Sequence, residues 1–313
     1  MKSLSIRWRV ATALGAIAAS GAVANPAGAA PPVAQPPMDL GQTSFLDGEA
    51  GQGALLEVIG DGVTADYFTD SNGKRLPGRH ELQTGSITFH PAYVSGVQFV
   101  GGHLGVESLL PIVVVHSDLV GQSEATMGGV GDITVAPFIQ WSDASLFGRP
   151  LSVRLALQFV APTGSYSPHN QINFGQNAWQ LSPYLAATWR VTQRWEISSR
   201  LTYDWSSRND SPSPAYGASN IQAGDQMEMN LSASYAVSER WRIGVSGYAL
   251  RQLDDARIGG APVSGSRQQA FGLGPGVLWN LGSATAIATA YREFATENRP
   301  EGYQLVLRLL QPF

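Results

Sequence analysis

Apolar and polar side chains alternate along much of this 313-residue chain. In the segment 195–205, Ile197 and Leu201 belong to an apolar set on one face, whereas Glu196 and Arg200 belong to a polar set on the other. A period of two residues is typical of a β-strand, because successive side chains point to opposite faces of the sheet. A tilted strand that crosses a bilayer needs ~9–11 residues, whereas strands of soluble proteins cluster near ~5–6. The length of the alternating segments therefore predicts strands that cross a membrane.

Twelve segments of the chain have this character. They lie near 54–69, 82–93, 97–116, 128–142, 150–163, 178–190, 194–206, 223–237, 240–252, 267–280, 284–294 and 302–313. The third segment is unusually long, and we expect its strand to begin later than residue 97. Short turns follow the even-numbered segments, for example at Ser95–Gly96, Thr192–Gln193 and Ser238–Glu239, and long polar loops follow the odd-numbered ones. This asymmetry predicts an all-β fold, a transmembrane antiparallel up-and-down β-barrel of about 12 strands with its short turns in the periplasm.

Tryptophans lie close to the ends of the candidate strands. Five are beside short turns and two are beside long loops: Trp141, Trp189, Trp195, Trp241 and Trp279, and Trp179 and Trp205. Aromatic residues form girdles at both interfaces of membrane barrels. We therefore predict that these seven residues form two interface girdles. The alternative, core tryptophans of a soluble β-sandwich, agrees poorly with the length of the strands.

The start of the chain has the composition of a secretory signal peptide. Lys2 and two arginines precede an apolar stretch, 10–23, and small residues place the cleavage site after Ala24 or Ala29. This order of a basic region, a short apolar region and a small-residue site predicts a signal peptide over 1–29. A membrane anchor is the alternative, and it fits less well because the apolar stretch is short.

Residues 30–53 have no alternating pattern. They are rich in proline at first and in glycine and polar residues later. This composition favours a mobile periplasmic segment and leaves open a plug that folds into the lumen. The barrel is expected to occupy 54–313.

The sequence contains no recognisable catalytic pattern. There is no Gly-x-Ser-x-Gly elbow, phosphate-binding loop or His-Glu-x-x-His sequence, and there is no cysteine. Of the five histidines, only His90 and His103 are expected to approach one another, across the turn at Ser95–Gly96. A metal site needs more ligands than two. We therefore predict that the protein is not an enzyme and has no cofactor and no metal site.

Charged side chains occupy the strand face opposite the tryptophans and leucines. They are Arg154, Glu196, Arg200, Asp204, Glu228, Arg242, Arg292 and Arg308. If the apolar face meets lipid, these side chains line the lumen. Two interpretations stay open: charge ladders that fill the barrel, and a constriction that selects solutes.

Three prolines interrupt strands that a closed barrel should pair on both sides. Pro137, Pro183 and Pro275 lie in descending strands on the apparent lipid face. Proline cannot donate to a strand ladder, so tolerated β-bulges are the favoured interpretation. The alternative is a locally loosened wall that lets a hydrophobic molecule leave sideways.

The last segment, Tyr303–Phe313, is an amphipathic strand that ends in phenylalanine. It resembles the signal by which outer-membrane proteins are recognised for insertion. The barrel-assembly machinery is therefore an expected partner.

Three stretches resemble a known family. They are Gly131–Trp141, Ala161–Tyr166 and Asn173–Trp189, and the family is named for the meta-pathway of phenol degradation and is also called SphA-like. The resemblance extends from about Leu55 to Phe313. It implies an outer-membrane transporter and the uptake of aromatic or other hydrophobic compounds. It carries over no binding residues.

These observations together predict a channel in the outer membrane of a Gram-negative bacterium for passive uptake of small hydrophobic or aromatic compounds. The alternative function is a structural or interaction barrel whose extracellular loops bind a partner. The expected partners are the lipid bilayer, lipopolysaccharide and the transported solute. Signal cleavage would remove three of the 20 basic residues and none of the 24 acidic ones, and the resulting charge of −7 argues against nucleic acid.

Overall fold

The computed structural model describes Val33, Gln35 and residues 39–78, 80–119, 124–170 and 172–313. The signal peptide expected over 1–29 lies outside the described residues. The described part contains one short 3-10 helix, Pro214–Tyr216, and no helix that is long and apolar enough to cross a membrane.

Strands make up most of the described chain. They are β1 (Gly53–Phe68), β2 (His80–Phe99), β3 (Gly102–Leu119), β4 (Ala125–Val130), β5 (Ile133–Leu146), β6 (Arg149–Ala161), β7 (Gln180–Trp189), β8 (Trp195–Ser206), β9 (Ile221–Gln222), β10 (Gln226–Ala236), β11 (Trp241–Gln252), β12 (Arg257–Ile258), β13 (Ala261–Pro262), β14 (Gln269–Asn280), β15 (Thr285–Glu297) and β16 (Pro300–Pro312). The short strands β9, β12 and β13 form a separate small sheet among the long loops.

The remaining strands form one closed antiparallel wall. Each strand pairs with its sequence neighbour, and β1 pairs with β16, for example Val58 with Leu309. Strands β4 and β5 both pair with β3 and are separated only by Gly131 and Asp132, so together they make one wall strand. The prediction of a twelve-stranded up-and-down barrel is confirmed. Below, the two rims of the barrel are called the short-turn end and the long-loop end.

One short turn differs from its predicted position. The chain reverses at Val100 and Gly101, not at Ser95–Gly96, and both turn residues have positive φ, 49° and 76°. Positive φ at two central residues is typical of a type I′ hairpin turn, whose twist matches that of the flanking strands. Ser95 and Gly96 lie within β2, where the pairing with β3 shifts between Val94 and Gln98. The strand therefore continues through an irregularity and reverses after it.

The three wall prolines are not at β-bulges. Around Pro137, Val135 pairs with Phe159 and Phe138 with Ala156, so two pairs are skipped without any change of register. The same two-residue lapse occurs at Pro183 between β7 and β8 and at Pro275 between β14 and β15. The bulge interpretation is therefore wrong. The missing proline N–H interrupts the ladder, and intact pairs on either side hold the strands in register.

The two faces of the wall have opposite chemistry. In β8, Leu201 is 43% exposed on the outside, whereas Glu196 and Arg200 are buried inside. An apolar outer face over a polar interior is the arrangement of a membrane barrel. Among the tryptophans, Trp241 and Trp279 stack at the short-turn end with ring centroids 5.1 Å apart. Six of the seven tryptophans lie at or beside strand ends, Trp141 lies within β5, and the role of all seven as interface girdles stays a prediction.

Candidate functional site

The lumen contains the chain's own N-terminal segment. Residues 39–52, which we call the plug, enter the barrel: 40–45, 47 and 48 are buried, Phe45 is 1% exposed, and only the last two residues, Gly51 and Gln52, are exposed. Gly41 N donates to Asn230 Oδ1 at 2.7 Å, and Gly48 N donates to Thr188 Oγ1 at 2.9 Å. The favoured expectation, a mobile periplasmic segment, is therefore wrong for these residues. Its plug alternative describes them, because wall side chains satisfy the backbone of the segment.

Val33, which precedes the plug in the sequence, lies at the long-loop end. Val33 packs against Ile221 and Ala256, which belong to the long loops. The plug itself joins β1 at the short-turn end, where that strand begins at Gly53. The described residues of the N-terminal part are therefore found at both rims, with Val33 at the long-loop end and the end of the plug at the short-turn end.

Glycine allows the plug to approach the wall closely. A Cβ on Gly48 would lie 2.6 Å from the backbone nitrogen of Thr188 and 2.7 Å from the carbonyl carbon of Ala187. Gly51, three residues further along, has no atom within 4 Å of the same position. Close contact is therefore confined to particular plug residues.

Ion pairs fix the plug to the wall. Arg200 on β8 contacts Asp47 through Nε to Oδ2 at 2.9 Å and through Nη2 to Oδ1 at 3.0 Å, and its Nη1 lies 3.2 Å from Asp39 Oδ2. Arg190 makes a second bidentate pair with Glu49, at 2.7 and 2.6 Å. Bidentate arginine–carboxylate pairs fix geometry as well as adding energy. The plug is thus held at both of its halves.

A chain of ionisable groups runs around the wall beside the plug. Arg308 Nε donates to Glu57 at 2.5 Å, and Glu57 is 2.7 Å from Nδ1 of His90. The other ring nitrogen of His90 is 3.4 Å from Glu107, which accepts from Arg154 at 3.1 Å. These five residues stand on β16, β1, β2, β3 and β6. Their alternating charges compensate one another, which buried ions require.

Tyr184 links this row of ionisable side chains to Arg200, which holds the plug. The Tyr184 hydroxyl donates to Glu107 at 2.6 Å, and the Arg200 guanidinium lies 4.1 Å from the Tyr184 ring centroid. Sequence reasoning missed Glu57, His90 and Glu107 as interior groups. Strand parity carried the signal for His90, because it follows Thr84, Ser86 and Thr88 at every second position of β2.

Seven of the eight charged residues predicted for the lumen face point inward. Arg154, Glu196, Arg200, Asp204, Glu228, Arg242 and Arg308 are all buried inside the barrel. They do not form one cluster: Glu196 and Arg242 meet at Ser234, which donates to Glu196 at 2.5 Å and accepts from Arg242 at 2.9 Å. Whether these residues select solutes stays a prediction.

Arg292 was assigned to the wrong face. Its guanidinium lies outside, 4.9 Å from the Tyr303 ring centroid and 3.2 Å from Glu301. The inward residues of β15 are its neighbours Tyr291 and Glu293. Alternation fails as a guide in this strand, because alanines occupy many of its outward positions and no clear apolar face results.

Two cavities lie beside the plug. One, of about 240 Å³, is near the short-turn end and is lined by Arg154, Arg200, Arg308 and His90 together with carboxylates. The other, of about 80 Å³, lies nearer the long-loop end. We call them the short-turn cavity and the long-loop cavity.

The three stretches that carry the family resemblance meet in space. The Asp132 carboxylate, in the break between β4 and β5, accepts from Gly164 N at 2.7 Å and from Gln176 N at 2.8 Å. These contacts hold the loop between β6 and β7, which we call the inward loop, across the long-loop end. Its Phe174 is buried in an apolar cluster with Phe68 and other wall residues. The resemblance therefore has a structural basis, a clamp that folds the inward loop into the barrel.

The two histidines considered for a metal site are apart. His90 belongs to the charged chain of the wall, whereas His103 hydrogen-bonds to Gln52 at 3.1 Å and to the Ser95 carbonyl at 3.2 Å. Within the described ranges, no three His, Cys, Asp or Glu side chains form a group that could hold a metal ion.

Comparison with known proteins agrees with this architecture. The family model described as "Putative MetA-pathway of phenol degradation" matches residues 65–309. An outer membrane channel from Pseudomonas putida F1 superposes with a TM-score of 0.74 and 20% identity, covering 85% of this chain and 97% of that one. The transport unit of the autotransporter AIDA-I from Escherichia coli gives 0.52 and 7%, covering 85% and 91%. No curated protein sequence matches the chain significantly.

The location follows from the closed wall and its apolar outer face. Closure leaves the wall without a free edge, so that its strands pair on both sides, which is the condition for crossing a bilayer with β-structure. The protein is an outer-membrane barrel of a Gram-negative bacterium, in contact with the lipid bilayer. That its short-turn end faces the periplasm stays a prediction.

Proposed function

This chain belongs to the phenol-degradation family whose model it matches, and we propose that it is a channel for passive uptake of small hydrophobic or aromatic compounds. The plug carries this proposal. The plug obstructs the lumen and is attached to the wall by ion pairs and hydrogen bonds. Such an arrangement is compatible with a channel that opens when the plug moves. A purely structural barrel does not require a separate segment that lies in its lumen and lines a cavity of about 240 Å³.

The apolar lining at the long-loop end supports a hydrophobic solute. Phe68, Leu82, Val113 and Val115 point inward there and pack with Phe174 of the inward loop. Small-molecule sites are lined predominantly by apolar and aromatic side chains with a few polar groups. A solute from outside would meet this lining before it reaches the charged groups around the plug.

Uptake measurements test the proposal. Cells that express the protein should accumulate radiolabelled toluene or phenol faster than cells with the empty vector, whereas accumulation of a sugar of similar size should rise less. Barrel assembly in both strains is checked by the shift in gel migration on heating. Equal accumulation of every aromatic compound in the two strains would refute the proposal and favour the interaction barrel with partner-binding loops.

We propose further that the barrel-assembly machinery recognises the C-terminal strand and that lipopolysaccharide contacts the outer face of the barrel. Tyr303, Leu305, Leu307 and Leu309 all point outward, and Phe313 at the end is 78% exposed. A variant that lacks only Phe313 should give less heat-modifiable barrel in the outer membrane than the full chain.

A further inference from the structure

The long-loop cavity has an unusual lining. Among the described residues, its charged lining consists of the carboxylates of Asp39, Asp132, Asp204 and Glu228, with no lysine, arginine or histidine. The short-turn cavity, on the other side of the plug, is lined by three arginines and His90. The short-turn cavity also has four carboxylates, those of Asp39, Asp47, Glu49 and Glu57, so its charges are mixed, whereas those of the long-loop cavity are all acidic.

Two of the four carboxylates already have partners. Asp39 pairs with Arg200 at 3.2 Å, and Asp132 accepts two backbone N–H groups of the inward loop. Asp204 accepts from Gln180 Nε2 at 2.9 Å and Glu228 accepts from Asp39 N at 3.3 Å, but the two differ from Asp39 and Asp132 in their surroundings. They are diagonal neighbours on the inner face of β8 and β10, and neither has an ion pair with a basic side chain in the described part of the chain.

Three oxygen atoms of this lining lack a hydrogen-bond partner. They are Asp204 Oδ2, Thr202 Oγ1 and Gln180 Oε1, and the three residues are 3%, 4% and 5% exposed. Buried polar atoms are usually paired, and an unpaired one commonly indicates a missing ion, water or ligand. Asp204 Oδ2 and Gln180 Oε1 act as acceptors, and the Thr202 hydroxyl can accept or donate, so one group with several donors would satisfy all three.

The number and charge of the acceptors favour one kind of donor. A primary ammonium carries three N–H donors and a positive charge, which matches three acceptors beside two carboxyl groups that have no basic partner among the described residues. A metal ion is disfavoured, because no group of three metal-ligating side chains forms among the described residues. Leu109, Pro111 and Val160 supply an apolar wall for the carbon part of such a molecule.

We propose that the long-loop cavity is a binding site for the ammonium group of a small primary amine. The volume of the cavity, about 80 Å³, is several times the ~10–15 Å³ that a single water needs, so the cavity has room for a small molecule. The site goes beyond uptake of neutral aromatic compounds, since the same barrel would recognise a cation on the outer side of its plug.

Binding to the purified full-length barrel in detergent tests the site. Propylammonium should bind saturably in calorimetry at constant ionic strength. Tetramethylammonium has the charge without N–H donors, 1-propanol has a donor without the charge, and potassium has neither carbon nor donors. Each should bind at least tenfold more weakly than propylammonium.

Variants locate the binding. Asp204→Asn should weaken propylammonium binding at least tenfold, and Thr202→Val, which removes one acceptor at constant shape, should weaken it severalfold. Glu293→Gln is the control, because Glu293 is a buried interior carboxylate that does not line the cavity. Heat-modifiable gel migration shows that each variant is folded.

Three results would overturn the proposal. Wild-type protein that does not bind propylammonium has no such site. Equal binding of 1-propanol would assign the cavity to neutral hydroxyl compounds, and equal binding of potassium or tetramethylammonium would assign it to cations in general. A failure of the purified barrel to bind propylammonium would not affect the proposal of aromatic uptake, which the accumulation assay tests separately.

Discussion

Substitution of Asp47 by asparagine should release the plug. Asp47 is the bidentate partner of Arg200, with contacts of 2.9 and 3.0 Å, and the side chains of the pair are 4% and 7% exposed. Asparagine preserves the shape and one acceptor but removes the negative charge. The change therefore acts on the ion pair and not on the packing.

The size of the effect follows from burial. Removal of one partner of a buried ion pair costs ~3–5 kcal/mol, because the other charge is left uncompensated. Arg200 keeps its contact with Asp39 at 3.2 Å, so we take the lower value. Because ~1.4 kcal/mol corresponds to a tenfold change in an equilibrium constant, the ratio of open to closed plug should rise by about 100-fold.

Single-channel recording in planar bilayers measures this ratio as the open probability. Glu49→Gln is the matched control, since the Glu49–Arg190 pair has similar geometry but its side chains are 25% and 40% exposed. Exposed pairs contribute only ~0–1 kcal/mol, so this variant should change the open probability less than about fivefold.

Two results would refute the reasoning. If Asp47→Asn assembles normally and its open probability equals that of the wild type, the plug is not held by this ion pair. If Glu49→Gln opens the channel as much as Asp47→Asn, burial does not determine the strength of the attachment.

Three further predictions concern the plug, the wall and the inward loop. Gly48→Val should raise conductance, because its Cβ would lie 2.6 Å from the wall backbone, whereas Gly51→Val should not, because that position is open. Leu201→Arg should lower the thermal midpoint of the barrel more than Thr202→Arg, since a charge on the lipid face near the midplane costs ~2–4 kcal/mol. Equal losses at 201 and 202 would contradict the assignment of faces. Asp132→Ala should make the inward loop more sensitive to added protease, because two hydrogen bonds to a carboxylate, worth ~1.5–3 kcal/mol each, are lost. Unchanged cleavage would contradict the clamp.

The wall was predictable because its signal is local. In β8, each side chain is assigned to a face by its parity alone, and Glu196, Arg200 and Asp204 all lie inside as expected. Parity failed for Arg292 in β15, where small residues on the outside remove the contrast between the faces. It also misplaced the turn near Ser95–Gly96, because an irregularity in pairing is not visible in one strand alone.

The plug and its contacts could not be predicted in this way. Asp47 and Arg200 are separated by 153 positions, and Gly41 and Tyr291 by 250. A segment without periodicity has no local property that distinguishes a mobile tail from a chain that fills a lumen. The difference arises only when closure of the wall brings distant donors and acceptors around it.

The sequence by itself determined the closed wall and its two faces, because the two-residue period and the length of the strands are properties of neighbouring residues. Only the tertiary structure decided what occupies the lumen. The plug and the row of ionisable groups from Arg308 to Arg154 depend on buried groups that find partners of opposite charge, and those partners come from segments far apart in the sequence.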